Sequence, residues 1–295
     1  MPLSGETPID ISNSAVVPED NVILGGDLLV ISPKKNFDSL FLSYYISNCK
    51  KKEIAKKSNG ISIIHSHKED IERLIINYPS YEEQCNISKF IKLIVIKIKI
   101  ILKRIETLKK YKEGLCNYFF KIEENDHHQL KEYVNNYASQ LLTKDIDHNI
   151  GEYPVYDASG SPYKNIDFYQ QDKDTISIIK YGSGCGRTFI SRGYHSILGT
   201  MTDLIPNQNV DVYFIYAFTL SKYFKSIVKK YIEIGTTPNL YYSDYSKAII
   251  SNKALCSCKS ISIIINTIES KEKLLSNELK ELNVIKKDLL NKMFI

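Results

Sequence analysis

The feature that most constrains this sequence is an internal repeat with a unit of about 174 residues. At an offset of 174, two segments rich in isoleucine and lysine align without a gap, and their matched pairs include Ile87 with Ile261, Ile91 with Ile265, Ile94 with Ile268, Lys112 with Lys286, Leu115 with Leu289 and Asn117 with Asn291. An offset of 173 continues the match toward the amino terminus, through Gly26 with Gly199, Pro33 with Pro206, Phe41 with Phe214 and Lys57 with Lys230. Chance does not keep the offset nearly constant from position 26 to position 120, so the chain contains one unit twice.

The first copy is shorter than the second. It ends near residue 121, which leaves about 53 residues of the unit without a counterpart in the first copy. Each copy predicts a globular segment of mixed helix and strand followed by a long helix. We therefore predict an α/β (α+β) fold with four parts, namely a truncated first domain at 1–79, a helix at 80–121, a complete second domain at 122–254 and a second helix at 255–295.

The two long segments predict helices that pair. From Ile87 to Leu108 the apolar residues recur in alternating steps of four and three, which is the heptad pattern of a coiled coil. Residues 96–100 alternate like a strand, but their partners in the second copy have helical spacing only. Helices of about 40 residues are roughly 60 Å long, and two of them in one chain would bury their seams most simply as an antiparallel coiled coil. Lys112, Lys286 and Glu272 interrupt the seams, and they either set the register, face a partner or mark a frayed contact.

The globular part of the second copy predicts short strands and turns. Residues 152–156 form an extended piece before a turn at 158–162, and Thr175–Ile179 has the composition of a buried strand. A glycine-rich run follows, from Lys180 to Arg187, which lacks the Gly-Lys-Ser/Thr ending of a phosphate loop and leads into more strand. We predict a glycine-rich hairpin that brings its backbone, Lys180 and Arg187 close to a ligand. Residues 211–230 predict an amphipathic helix, matched by 38–57 in the first copy.

Composition and charge narrow the possible classes of protein. A hydrophobic fraction of 43% with 25% charged residues is typical of a soluble globular protein, and neither a signal peptide nor a membrane span is predicted. The six cysteines form no CxxC pair and predict reduced thiols in a cytoplasmic protein, with metal binding by Cys256 and Cys258 as the less favoured alternative. Between residues 86 and 112, nine basic residues face one acid, a pattern that suits a polyanion or, equally, a solvated helix face.

The order of these features resembles the specificity subunit of type I restriction–modification enzymes, which consists of two target-recognition domains that alternate with two long helices. The resemblance covers nearly the whole chain. It rests on these stretches: Tyr153-Pro-Val-Tyr, 179–187, Gly199-Thr-Met, Gly235-Thr-Thr-Pro-Asn-Leu, Gly26-Asp-Leu-Leu, Ser58-Asn-Gly-Ile-Ser and Asn77-Tyr-Pro-Ser-Tyr-Glu-Glu-Gln. Two departures are the shortened first domain and the absence of a Glu-Glu-Gln opening in the second helix.

The resemblance implies a non-catalytic subunit. In that family each recognition domain binds half of a split site in double-stranded DNA, and the helices act as a spacer and as the docking surface for modification subunits, which connect to restriction subunits. We find no methyltransferase Asn/Asp-Pro-Pro-Tyr/Phe motif, no Walker A motif and no convincing nuclease carboxylate cluster, and we predict no catalytic residue, no metal and no cofactor.

Base readout needs donors that reach base edges, while lysines and backbone amides hold phosphates. Arg187 is the first candidate for a DNA contact, because arginine can bind guanine with two hydrogen bonds. The other candidates are its neighbours Lys180, Tyr181, Ser183 and Thr188, followed by Tyr163, Lys164, Thr236, Thr237 and Asn239. Each of these side chains has a plainer interpretation as a surface turn residue or a core tyrosine.

Two further hypotheses remain open from the sequence. The chain is either a truncated paralogue that only binds modification subunits, or a half-subunit that self-associates or joins a complementary fragment to rebuild a reader of both half-sites.

Overall fold

The computed structural model describes residues 1–19, 21–33, 36–60, 63–232 and 238–293. The chain divides into two compact units, unit 1 (1–104 together with 275–295) and unit 2 (105–274). Both long helices contribute residues to both units. The boundaries that we predicted from the repeat (79, 121 and 254) follow the order of elements along the chain and stay a prediction.

Unit 1 contains short elements around one end of the helix pair. Its strands are β1 (Ser4–Gly5) and β2 (Ile64–His65), which pair antiparallel, and its helices are α1 (Ser39–Tyr45), α2 (Lys51–Lys57), α3 (Lys68–Glu72) and the first part of α4 (Tyr81–Phe119). A wider helical turn at Ile46–Lys50 joins α1 to α2. Among the described residues, its largest buried cluster is small and consists of Phe41, Tyr45, Ile87 and Ile91.

Unit 2 contains nine described strands in three sheets. They are β3 (His128–Gln129), β4 (Val134–Ala138), β5 (Tyr153–Tyr156), β6 (Pro162–Ile166), β7 (Thr175–Ile179), β8 (Thr188–Ser191), β9 (Ser196–Ile197), β10 (Met201–Pro206) and β11 (Ile249–Ile250). The main sheet is antiparallel in the order β4-β10-β7-β8, a smaller one has the order β6-β5-β9, and β3 pairs with β11. The expected strand at Thr175–Ile179, the extended piece before the turn and the hairpin after it are therefore confirmed.

Helices cover the main sheet of unit 2. They are α5 (Val212–Leu220), α6 (Lys222–Tyr231), α7 (Tyr242–Tyr245), α8 (Asn252–Cys256) and the first part of α9 (Cys258–Met293). Our prediction of one helix over 211–230 was wrong, because the chain breaks at Ser221. Its backbone is extended (ψ 150°), and its hydroxyl accepts a hydrogen bond from the Phe224 amide at 3.2 Å. A serine that caps the next helix in this way ends the preceding one.

The long helices pair antiparallel within each unit, and residues 96–100 are helical as predicted. In unit 1, Leu290 and Met293 of α9 pack on the cluster that contains Ile87 and Ile91 of α4, and Lys97 forms an ion pair with Glu278 at 2.8 Å. In unit 2, Cys116 and Ile265 belong to one buried cluster. Helix α4 spans 39 residues and α9 spans 36.

Lys112 has a specific partner in unit 2. Its ammonium lies 2.5 Å from a carboxylate oxygen of Glu269 and 3.1 Å from one of Glu272. The interruption of the seam by Lys112 and Glu272 is therefore an ion pair across the helix pair, which favours a role in register over a frayed contact. The other eight basic residues of the 86–112 stripe are exposed. Among the described residues, no helix combines the length and the apolar character needed to cross a membrane.

Candidate nucleic-acid interface

The glycine loop, defined here as Lys180–Arg187, connects β7 to β8 and has a tightly bonded backbone. The amide of Gly186 donates to the Ile179 carbonyl at 2.9 Å, that of Cys185 to Gly182 at 3.0 Å, and that of Arg187 to Gly184 at 3.0 Å. The Lys180 amide donates to the Thr200 carbonyl at 2.8 Å, which ties the loop to the residues before β10. These bonds place the side chains of the loop on a defined frame.

Two glycines in the loop have backbone angles that other residues rarely adopt. Gly186 has φ +81°, and a Cβ atom there would lie 2.3 Å from Cγ1 of Val228 in α6. Gly182 has φ +87°, but none of the described residues lies within 4 Å of its missing Cβ. Gly186 thus allows the loop to lie directly on α6, while Gly182 only reverses the chain.

A second segment lies beside the loop and brings Asn239 to it. Tyr181 and Asn239 form an isolated antiparallel bridge. The Gly182 amide donates to the Pro238 carbonyl at 3.1 Å, and the Leu240 amide donates to the Lys180 carbonyl at 3.0 Å. The structure therefore brings Lys180, Tyr181 and Asn239 together. Thr236 and Thr237 lie outside the described residues.

Arg187 is exposed and anchored by one contact. One terminal N–H of its guanidinium donates to the carbonyl of Ala158, in the turn between β5 and β6. The same turn lies against β8, since a Cβ at Gly160 would be 3.3 Å from the Phe189 ring. The guanidinium carries five N–H donors, so this contact orients the group and leaves donors for another acceptor.

The side chains of the glycine loop combine positive charge, an aromatic ring and a hydroxyl group. The Lys180 ammonium lies 5.5 Å from the centre of the Tyr181 ring, and partial burial lowers the pKa of Lys180. Ser183 and Tyr181 are exposed. The loop thus presents two cations, an aromatic ring and a hydroxyl on one short segment, a set that fits phosphates and base edges.

Three predicted residues lie in other surroundings. Thr188 starts β8, and its hydroxyl is 3.0 Å from that of Thr219 in α5. Lys164 in β6 donates to the carbonyls of Ile146, at 2.5 Å, and Asp147, at 2.6 Å. Tyr163, the residue before Lys164, is exposed. The side chains of Thr188 and Lys164 therefore have internal partners.

A row of lysines that the sequence interpretation missed adjoins the loop. Lys222, Lys225 and Lys229 of α6 are exposed, and their spacing of three and four places them on one face of the helix. Val228, which touches the loop at Gly186, belongs to the same helix. The spacing was visible in the sequence, but only the packing shows that this helix lies against the glycine loop.

Three tyrosines form a second surface feature that the sequence did not predict. The ring centres of Tyr153 and Tyr169 are 5.0 Å apart, those of Tyr169 and Tyr194 are 4.8 Å apart, and Tyr169 and Tyr194 are exposed. The three residues come from separate parts of the chain, so no spacing rule could have grouped them. An exposed aromatic cluster of this kind can stack on planar groups or pack on apolar ones.

A buried polar network lies inside the main sheet. The carboxylate of Asp203 accepts from the Ser177 hydroxyl at 2.6 Å and lies 3.4 Å from Nε2 of His195. The Thr175 hydroxyl is 3.1 Å from the same nitrogen. All four residues are fully buried. Ser, His and Asp are thus close together in the sheet interior, where Oδ1 of Asp203 accepts from Ser177 and the buried Oδ2 has no hydrogen-bond partner among the described residues.

Comparison with known proteins yields one family and several structures. Residues 7–110 match the family model described as the type I restriction modification DNA specificity domain. The chain is 21% identical to the crystal structure of a type I restriction–modification S subunit from M. genitalium, with a TM-score of 0.70 over 88% of this chain and 73% of that one. This likeness confirms the predicted fold class.

A second structure, the HsdS subunit from Thermoanaerobacter tengcongensis, is 15% identical over 86% of this chain and 69% of that one, with a TM-score of 0.42. Comparison with curated proteins gives no match.

Proposed function

We propose that this chain, which carries a type I DNA specificity domain at residues 7–110 and has the fold of a type I S subunit, is the sequence-recognition subunit of a type I restriction–modification complex. Its ligand is double-stranded DNA. It directs modification subunits, and through them restriction subunits, to a target site. The chain itself contributes recognition, and the associated subunits contribute the chemistry.

The observation that carries this proposal is the surface formed by the glycine loop and the Asn239 segment. Arg187 is exposed and held by Ala158, so its remaining donors can meet the two acceptors of a guanine edge. Asn239 is fixed beside the loop by backbone bonds, and an asparagine side chain can pair with adenine. Lys180 and the exposed lysines of α6 supply phosphate contacts.

Two predicted residues have a different role within this proposal. Thr188 and Lys164 position backbone instead of touching DNA, because their polar atoms already bond to Thr219 and to the carbonyls of Ile146 and Asp147. Tyr163 remains a candidate for a DNA contact, since it is exposed beside the turn that holds Arg187.

The helix pair supports the partner part of the proposal. Besides the residues buried in the seam, α4 has a second apolar row on its exposed surface, formed by Phe90, Leu93, Ile96 and Ile100. Exposed apolar side chains grouped on one helix face are typical of a protein contact. We assign this row to a modification subunit.

Co-expression with the cognate modification subunit tests the proposal, with methylated sites read by sequencing. A split motif means that both recognition domains read DNA. A palindromic motif means that two copies of the complete domain do so. If the chain binds the modification subunit but no methylated motif is found, the proposal is wrong. The chain is then a truncated paralogue that only binds modification subunits.

Arg187→Ala tests the assigned residue in the same complex. We expect the affinity for the methylated motif to fall by about 5- to 160-fold, because a bidentate arginine–guanine pair contributes about 1–3 kcal/mol of discrimination. Arg187→Lys keeps the positive charge but not the planar guanidinium group that can form two hydrogen bonds to guanine. We expect this variant to lose sequence selectivity and to keep non-specific DNA binding. Arg73→Ala removes an exposed arginine from unit 1 and serves as the charge-matched control. Equal affinity of the Arg187→Ala and Arg73→Ala complexes would remove Arg187 from the interface.

A further inference from the structure

The first residues of unit 1 repeat a hydrogen-bond pattern of unit 2. The Leu3 amide donates to the Asp27 carbonyl at 3.1 Å, as the Lys180 amide donates to Thr200 at 2.8 Å. The Ser66 amide donates to the Leu3 carbonyl at 2.8 Å, as the Leu240 amide donates to Lys180 at 3.0 Å.

The same correspondence extends to the neighbouring strand residues. In unit 1, Pro2 pairs with Leu28 and Met1 pairs with Leu29. In unit 2, the corresponding pairs are Ile179 with Met201 and Ile178 with Thr202. Residues 1–5 therefore hold the place of 178–182, and residues 28–33 hold the place of β10.

Strand β10 has neighbours on both sides, but among the described residues its counterpart in unit 1 has a neighbour on one side only, at Met1 and Pro2. In unit 2, β4 pairs with β10 along one edge and β7 along the other. In unit 1, Leu29 exchanges two hydrogen bonds of 2.9 Å with Met1, and no hydrogen bond among the described residues engages the backbone of Val30, Ile31 or Ser32.

The direction of the unpaired groups follows from the pairing of Leu29. Successive residues of an antiparallel strand direct their N–H and C=O groups to opposite sides. Since those of Leu29 point to Met1, we infer from this alternation that those of Val30 and Ser32 point to the open edge. That edge corresponds to the side of β10 on which β4 lies in unit 2.

The side chains of residues 28–31 are also more exposed than those at the matching positions of β10. Leu28, Val30 and Ile31 are 39%, 63% and 38% exposed, whereas Met201, Asp203 and Leu204 at the matching positions of β10 are 0% exposed. A cavity of about 590 Å³ lies beside the segment, and its apolar lining includes Val16, Val17, Leu24, Leu28, Ile31 and Leu42. An open strand edge next to an apolar cavity is a site for an added strand.

We propose that this edge and cavity bind a polypeptide segment that has the pattern of residues 122–177. In unit 2 that segment supplies β4 and most of β7, and its buried Leu130, Val134 and Ile176 belong to the core. The partner adds an antiparallel strand to Val30 and Ser32 and places apolar side chains in the cavity.

The unit 2 of a second copy of this chain is a poorer occupant than a segment whose strand is still unpaired. Its own β4 is already paired with its own β10 over five residues, from Ala138 with Thr202 to Val134 with Pro206. It would have to release those pairs before it could bind in the cavity. The inference concerns a partner of unit 1 and holds whether or not the glycine loop binds DNA.

The test mixes the full-length chain with a labelled polypeptide of the sequence 122–177. We expect a one-to-one complex by fluorescence anisotropy and by sedimentation, and at least tenfold slower amide exchange at Val30 and Ser32 in the complex. The double variant Leu28→Glu, Ile31→Glu is expected to weaken binding at least tenfold. Ile75→Glu is the matched control, because Ile75 is 78% exposed and does not line the cavity.

Val30→Pro gives an independent variant, since it removes an N–H from the open edge and leaves the apolar lining in place. It should also weaken binding, with the helix content of the chain unchanged by circular dichroism. The proposal is overturned if no complex forms. It is also overturned if the double variant binds as well as the control, because the added polypeptide would then be replacing residues 122–177 within unit 2. It is also overturned if the chain alone forms dimers that the double variant dissociates. DNA affinity, measured in parallel, reports on the glycine loop separately.

Discussion

At the scale of single residues, Gly182 and Gly186 look alike in sequence and differ in what surrounds them. Both have positive φ angles, so alanine at either position costs about 1 kcal/mol of backbone strain. Among the described residues, only Gly186 has a neighbour where the new methyl group would lie, at 2.3 Å from Val228. Val228 is buried and β-branched, so it has little freedom to move away.

We therefore expect Gly186→Ala to lower the free energy of unfolding by about 2 kcal/mol more than Gly182→Ala, because it also overpacks a tight contact. Chemical denaturation of the two variants measures the difference. Equal losses would show that α6 shifts freely away from the loop.

Sequence reasoning at this scale found the loop but not the direction of each side chain. The glycines and flanking cations predicted a hairpin that brings Lys180 and Arg187 close to a ligand; the hairpin is present and Arg187 is exposed, and the ligand contact stays a prediction. It did not predict that Lys164 would turn to the carbonyls of Ile146 and Asp147, which are distant in sequence. Such choices depend on which carbonyls the fold leaves unbonded, and a local pattern contains no information on that.

At the scale of elements, the ion pair of Lys112 decides how α4 and α9 pair in unit 2. Burial alone would lower the pKa of Lys112, but the hydrogen bonds and charges of Glu269 and Glu272 outweigh it and hold the pKa above its ordinary value. A group whose pKa is raised by folding stabilises the folded state below its unfolded pKa and loses that effect as the pH rises through its folded pKa. The contribution of Lys112 is therefore complete at neutral pH and is lost in strongly alkaline solution, as the pH rises through the raised pKa.

Lys112→Met should lower the free energy of unfolding by about 3 kcal/mol at pH 7, since it leaves two carboxylates close together without their cation. Lys110→Met, which removes an exposed pair with Glu106, should change it little. Denaturation at pH 7 measures both variants. If replacing Glu269 and Glu272 by leucine in Lys112→Met does not restore stability, the loss has another cause than unpaired charge.

The helices were predictable as elements because the repeat supplied two versions of each. Residues 96–100 alternate like a strand, and only the second copy showed that the segment is helical. The break at Ser221 was not predicted, because the first copy continues through a helical turn at the matching place, Ile46–Lys50. There the side chain of a single residue decides between continuing a helix and capping a new one.

At the scale of the whole molecule, the two copies differ in how much apolar surface they bury. Helix α5 buries six of its nine residues, whereas its counterpart α1 buries Phe41 and Tyr45. Local stability rises with the apolar contacts that must be broken for opening.

Amide exchange by mass spectrometry should therefore show faster exchange in residues 39–57 than in residues 212–231 of the same protein. The comparison is internally matched, because the two segments are copies of one sequence element. Equal protection factors would mean that burial in unit 1 is greater in solution than the described contacts suggest.

The shared hydrogen bonds around Leu3 and Lys180 also have an evolutionary consequence. At this point the two copies share two backbone hydrogen bonds, so a genetic crossover between their coding sequences would preserve both of them. The segments that precede this point can then be exchanged as intact pieces. Under the proposed function, such an exchange would change the DNA specificity in one step, without a series of destabilising point mutations.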